Sequence, residues 1–222
     1  MYGKPSTFGG DVEIDWFLNR YAVCSGIAMI FPLVSASRNV MAMRKGKMQP
    51  HRIASWGMVF VCFMNVAFAW GAGGKALWYP FMALIGFLMI AIGSIWYGER
   101  DVPLSPLERS AFSTAVVIVP IYFFLKWNGL SEAALLGLVL MLAVDAVLFA
   151  PIMEKVWKRP HTEDRTAWWL SLPGPTVNYG AIHWNDIRLD EVTTWLHPDL
   201  IYNTYIFVLV TFALIGLHRY RT

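Results

Sequence analysis

The chain has 222 residues, 57% of them hydrophobic and 15% charged, with a mean hydropathy of +0.47. Soluble domains carry about a quarter charged residues, so this composition excludes an ordinary water-soluble globule and points to a polytopic membrane protein. The net charge of +3 gives no nucleic-acid signal, because the basic residues fall in short loops between apolar runs, and no nucleic-acid partner is expected.

Residues 1–20 carry Asp11, Glu13 and Asp15 and no apolar core. They read as an acidic extracytoplasmic arm rather than a cleavable leader. About 20 apolar residues are needed to cross the hydrocarbon, and seven stretches are expected to do so. The first runs from Tyr21 to Met43, with Pro32 and Arg38 inside it. The second runs from Ile53 to Trp70 and the third from Ala76 to Trp96. After the polar connector Gly98 to Pro103, the fourth spans Ala111 to Trp127 around Pro120. The fifth spans Ala133 to Met153. The sixth, Thr166 to Trp184, is interrupted by Pro173-Gly174-Pro175, and the seventh runs from Leu196 to Leu217. The expected fold class is all-α, with seven transmembrane helices. The 11 Trp and 9 Tyr suit the two membrane interfaces. Cys24 and Cys62 sit in apolar runs and read as small core residues rather than a bridge.

Basic residues near the span ends set the orientation. The segments after spans one, three, five and seven hold twelve: Arg44, Lys45, Lys47, Arg52, Arg100, Arg109, Lys155, Lys158, Arg159, Arg165, Arg219 and Arg221. The other side holds five: Lys4, Arg20, Lys75, Lys126 and Arg188. The richer side is expected to be cytoplasmic, in a membrane such as the bacterial inner membrane. That places the N-terminus outside and the C-terminus inside.

A faint internal repeat accompanies this pattern. Span one ends in Lys47-Met48-Gln49-Pro50-His51 with Trp56 soon after; span five ends in Lys158-Arg159-Pro160-His161 with Trp168 soon after. Two triplets, 21–97 and 133–217, joined by one linking helix at 109–127, make a 3+1+3 arrangement. With a single linker both triplets point the same way, a parallel repeat with its axis along the membrane normal and a central site between the halves.

At these turns the chain resembles the PQ-loop superfamily, which includes the SWEET sugar transporters and, more distantly, the nicotinamide riboside transporters. It is most similar to a bacterial branch of seven-helix SWEET-like proteins. The matching pieces are Gly46 to Arg52 with Ser55-Trp56, Gly71-Ala72-Gly73, and Tyr97 to Asp101. The second half adds Asp145, Phe149, Pro151, Lys155, Trp157 and Pro160, then Trp195 to Pro198 and Asn203. Together they cover about Ala28 to Arg221. Two departures stand out. Arg38-Asn39 replaces the usual kinking proline of the first half, and Gln49-Pro50 reverses the name-giving dipeptide. The resemblance implies a membrane carrier in which tryptophans and asparagines facing a central cavity hold the substrate, and Trp56 and Asn203 fall on motif positions.

The chemistry is sparse. Asp145 is a carboxylate inside an apolar run, which costs roughly 2.5–3.5 kcal/mol on insertion scales. It is expected to face protein or a water-filled cavity, binding a cation, a proton or a substrate hydroxyl, or else to pair with Arg38 as a structural carboxylate. Asn65, Asn178 and Asn203 offer donor and acceptor together, which suits a sugar or nucleoside; the plainer reading is an interhelical hydrogen bond. Trp56 and Trp168 offer ring faces for stacking, or serve as interfacial anchors. Pro32 and Pro151 are candidate hinges. The Pro173-Gly174-Pro175 run frees backbone carbonyls at membrane depth, which only protein or cavity water can satisfy. His183, Asp186, His197 and Asp199 lack a tight metal-ligand spacing. The basic turn at Arg44 to Lys47 can hold anionic membrane lipid. No phosphate loop, nucleophile elbow or catalytic triad is present, so neither an enzyme nor a cofactor is expected.

The leading expectation is a carrier moving a small polar solute of sugar, nucleoside or vitamin type by alternating access. The alternative is a non-transporting accessory subunit, packed in a homo-oligomer or a larger membrane assembly.

Overall fold

The computed structural model describes residues 10–50, 52–98, 103, 106–130, 132–158, 160, 163–182 and 197–219. All regular structure among them is helical: α1 (Gly10–Arg44), α2 (Arg52–Gly71), α3 (Trp78–Tyr97), α4 (Pro106–Trp127), α5 (Ala133–Lys158), α6 (Arg165–Ser171), α7 (Pro173–Asn178) and α8 (Pro198–Arg219), with a 3-10 turn at Tyr179–Ala181. Six stretches are long and apolar enough to cross a membrane: Tyr21–Arg44, Arg52–Gly71, Trp78–Tyr97, Arg109–Trp127, Ala133–Lys158 and Pro198–Arg219. The chain is therefore an all-helical protein compatible with an integral membrane location.

Two elements differ from expectation. The arm and the first span are not separated: α1 already begins at Gly10. Between Asp11 and Tyr21 there is no proline or glycine to stop it. Residues 1–9 of the expected arm lie outside the described part. The sixth span is not one helix but two short ones broken at Leu172. Pro173 and Pro175 have no N–H to donate to Trp169 and Ser171, so the α6 ladder cannot continue. The far end of that span, from His183 on, also lies outside the described residues.

Local devices fix the ends. Arg52 reaches the C-terminus of α3, where Nε donates to the Ser94 carbonyl at 2.9 Å and Nη2 to that of Ile95. A cation there meets the negative end of the helix. Asp164 caps α6, its Oδ1 accepting from Thr166 N at 2.9 Å and Ala167 N at 3.2 Å. Gly73 takes φ +89° in the α2–α3 turn, a conformation glycine adopts without strain.

Packing closes a circuit. α3 lies between α1 and α2; α2 packs on α5; α5 packs on α8; α8 packs on α6 and α7; and these lie against α1. α4 stands outside the circuit, mainly against α5. Small residues set the close approaches. A Cβ at Gly86 would sit 3.1 Å from the Pro32 carbonyl on α1, and one at Gly137 3.1 Å from the Phe68 ring. The main core joins α2, α4, α5 and α8 through Phe68, Ile118, Leu138, Met141 and Tyr202.

Candidate functional site

A cavity of about 600 Å³ lies at the centre of the circuit, lined from α1, α2, α3, α5, α6 and α8. One end is framed by Met48, Gln49 and Pro50 of the basic α1–α2 turn, with Lys158 and Glu163. The deep end is framed by Cys62, Tyr79 and Asp145. Asp145 stands near the middle of α5, about 18 Å from its start at 1.5 Å per residue, so the cavity runs from the basic end of the bundle to about half its depth.

Asp145 is 2% exposed. Its Oδ2 accepts from the Tyr205 hydroxyl of α8 at 2.7 Å, and its Oδ1 has no partner. The alternative pairing with Arg38 is not what forms. Arg38 Nε donates instead to Asp164 Oδ2 at 2.9 Å, tying α1 to the cap of α6. Beside this bridge Ser35 Oγ donates to the Ala167 carbonyl at 2.9 Å and meets Ser171 Oγ at 2.8 Å. Ser35, Asn39, Ser55 and Ser171 give the mouth of the cavity its polar lining.

Phe149 lies one turn beyond Asp145 on α5, and Trp168 on α6 meets it edge to face, ring centroids 6.3 Å apart at 84°. Both line the cavity. Position 168 therefore stands at the site, whereas Trp56, 43% exposed on α2, is not among the lining residues. Pro32 lines the cavity from α1. Position 151 lies within the continuous helix α5.

The three asparagines are fully buried but lie off the cavity. Asn203 Nδ2 donates to the Pro175 carbonyl at 2.9 Å, and its Oδ1 accepts from Asn178 Nδ2 at 3.1 Å. The amides of these two residues thus fasten the broken α7 to α8. Asn65 continues the α2 stripe of Ala54, Met58 and Cys62, one turn past the closed end of the cavity, and its Oδ1 has no partner.

Above the deep end the bundle is closed. Tyr79 packs on Gly174 so closely that a Cβ there would stand 2.6 Å from the ring. Asp199, in the first turn of α8, holds the α2–α3 turn: its Oδ2 accepts from Lys75 N at 2.9 Å and Ala76 N at 3.1 Å. Gly74 lets Asp199 approach, since a Cβ would meet Oδ1 at 2.8 Å. Tyr21 donates to the Lys75 carbonyl at 2.8 Å. Asp199 is thus engaged with backbone rather than gathered with histidines; His183 and Asp186 lie outside the described residues. Among the described residues no group of three or more His, Cys, Asp or Glu is placed to hold a metal.

Sequence reasoning did not single out Cys62, Tyr79 or Tyr205. Cys62 reads as a core residue because nothing in its apolar neighbours says which face meets the cavity. Tyr79 and Tyr205 carry no local signal that distinguishes them from the chain's other aromatics. Comparison of the chain with protein-family models, with curated proteins and with solved structures finds no match in any of the three.

Proposed function

We propose that this chain is a membrane carrier that moves a small polar solute, of the sugar, nucleoside or vitamin type, by alternating access. The observation that carries the proposal is the central cavity, which starts at the basic end and stops at Asp145 beneath a closed layer. A site at mid-depth, reached from one side and sealed on the other, is what one half-cycle of such a carrier requires.

The packing order supports a repeat of two triplets, 21–97 and 133–217, with α4 as the link. In each, the third element in sequence lies between the first two: α3 between α1 and α2, α8 between α5 and the broken α6–α7. The contacts between triplets, α1 on α6–α7 and α2 on α5, exchange under a two-fold axis along the membrane normal. The resemblance to the PQ-loop superfamily agrees with this order. On this reading the basic end is cytoplasmic, the N-terminus is outside, and the cavity faces inward. Pro32 and Pro151 serve as hinges, and Asn65 enters the site when the outer end opens.

The test is uptake by purified protein in proteoliposomes across a panel of sugars, nucleosides and vitamins, with Asp145→Asn alongside. Accumulation of one class by wild type, lost in Asp145→Asn, is the expected result. Folded protein that accumulates nothing overturns the proposal and favours the non-transporting subunit. One observation favours that second reading: α4 presents Phe123, Phe124 and Trp127, the last 92% exposed, as a face that another subunit or lipid covers.

A further inference from the structure

Asp145 asks for a particular kind of guest. Its Oδ2 is engaged by Tyr205, while Oδ1, on a side chain 2% exposed, is left without a donor. Arg38 pairs with Asp164 and Lys158 with Glu154; neither pair places a cation at Asp145. Lys158 stands at the mouth of the cavity, about three and a half turns of α5 away from Asp145. A buried carboxylate without a countercharge is costly unless it takes up a proton or its partner arrives from outside.

The rest of the lining narrows the chemistry. A bare metal ion takes several oxygen ligands: six to eight for calcium, near-octahedral six for magnesium. The described residues offer no acidic or histidine cluster to supply them. One turn from Asp145, about 5.4 Å along the axis, stand Phe149 and the Trp168 ring set edge-on to it, followed by Ile152. Charge at one end and aromatic surface one turn away match an organic cation with a small apolar body. The ammonium is held by the carboxylate and the body lies on rings that also attract cations.

We propose that the cavity binds an organic monocation, an ammonium or amidinium group on a small apolar or aromatic body, with Asp145 Oδ1 as its counter-ion and Phe149 and Trp168 as the seat for the body. This rests on the carrier reading and narrows its solute to a cationic one, of the vitamin type rather than a neutral sugar or nucleoside.

The experiment uses the full-length protein in detergent and titrates two probes of the same shape. These are phenethylamine, charged at neutral pH, and phenethyl alcohol, neutral. Wild type is expected to bind the amine at least tenfold more tightly than the alcohol. Asp145→Asn should weaken the amine by roughly ten- to a hundredfold, the worth of one charge-assisted bond, and leave the alcohol unchanged. The two probes on wild type need no variant, so a poorly folding Asp145→Asn leaves the comparison intact. Tyr205→Phe, which keeps the carboxylate, should retain the amine preference. Equal binding of the two probes, or unchanged amine binding in folded Asp145→Asn, overturns the proposal; so does sodium chloride displacing the amine at equimolar concentration, which assigns the site to an inorganic cation. Proteoliposome uptake separates the two readings. Uptake of neutral solutes with no amine binding sinks the cation site alone, whereas amine binding without uptake of any solute sinks the carrier alone.

Discussion

Replacing Asn203 tests whether its amide is a structural fastener or a solute contact. In Asn203→Ala, the Pro175 carbonyl loses its 2.9 Å donor and Asn178 Nδ2 loses its 3.1 Å acceptor. Both partners are buried. In a membrane protein each interhelical hydrogen bond is worth about 0.6 kcal/mol on average, with a ceiling near 1.7, because the unfolded chain in the bilayer also finds partners. Orphaned polar groups in a dry site cost about 1–3 kcal/mol each. The membrane figure sets the floor, at roughly 1 kcal/mol for two bonds. The Pro175 carbonyl still accepts from Tyr179 N, so the group left unpaired is the buried Asn178 amide, which brings the expected loss to about 1–3 kcal/mol. Denaturation of the purified protein, followed by helical circular dichroism, measures it. A double-mutant cycle with Asn178→Ala isolates the amide pair, with an expected coupling of roughly 0.5 kcal/mol or more. The sharper contrast is with solute. Asn203→Ala should destabilise without changing affinity in the protein that remains folded, because the amide does not line the cavity. Unchanged stability with lost affinity would refute the fastener assignment and return Asn203 to the binding site.

Three further predictions follow from the closed end and the mouth. Gly174→Ala drives a methyl to 2.6 Å from the Tyr79 ring; overpacking of this kind costs about 1–3 kcal/mol, and the thermal midpoint should recover in the double variant with Tyr79→Leu. Asp199→Ala removes the acceptor for Lys75 N and Ala76 N, bonds worth roughly 1.5–3 kcal/mol each when charged; cleavage by trypsin at Lys75 should accelerate at least several-fold, and an unchanged rate would show that the turn is held by other contacts. At the mouth, Asp164→Ala should cost more than Arg38→Ala. The exposed ion pair contributes about 0–1 kcal/mol, but Asp164 also caps α6 through two backbone amides, worth about 1 kcal/mol more. Equal losses on denaturation would mean that the cap contributes nothing.

Each feature legible in the sequence was a cost borne by one residue. A carboxylate inside Val144-Asp145-Ala146 cannot be left in lipid, so Asp145 marks an interior or a cavity before any contact is known. Two prolines flanking Gly174 cannot continue an α-helix, so the break in the sixth span is visible, though not that it falls at Leu172. What was not legible was pairing. Tyr205 meets Asp145 across α5 and α8 through a register set by packing, and no local signal in either stretch encodes it. Arg38, the nearest apparent countercharge in an apolar run, goes to Asp164 because the cap of α6 lies beside the C-terminal part of α1. The asparagines show this most plainly. Amides at 178 and 203 suit a sugar as well as they suit each other, and the choice is made by how the proline break turns α7. Pro175 sits in the short helix α7, and its carbonyl, which already accepts from Tyr179 N, takes a second bond from Asn203 of α8. The proline that suggested a substrate site thus consumes the polar group that would have served it, and Asp145, which no such break lies near, keeps one oxygen without a partner.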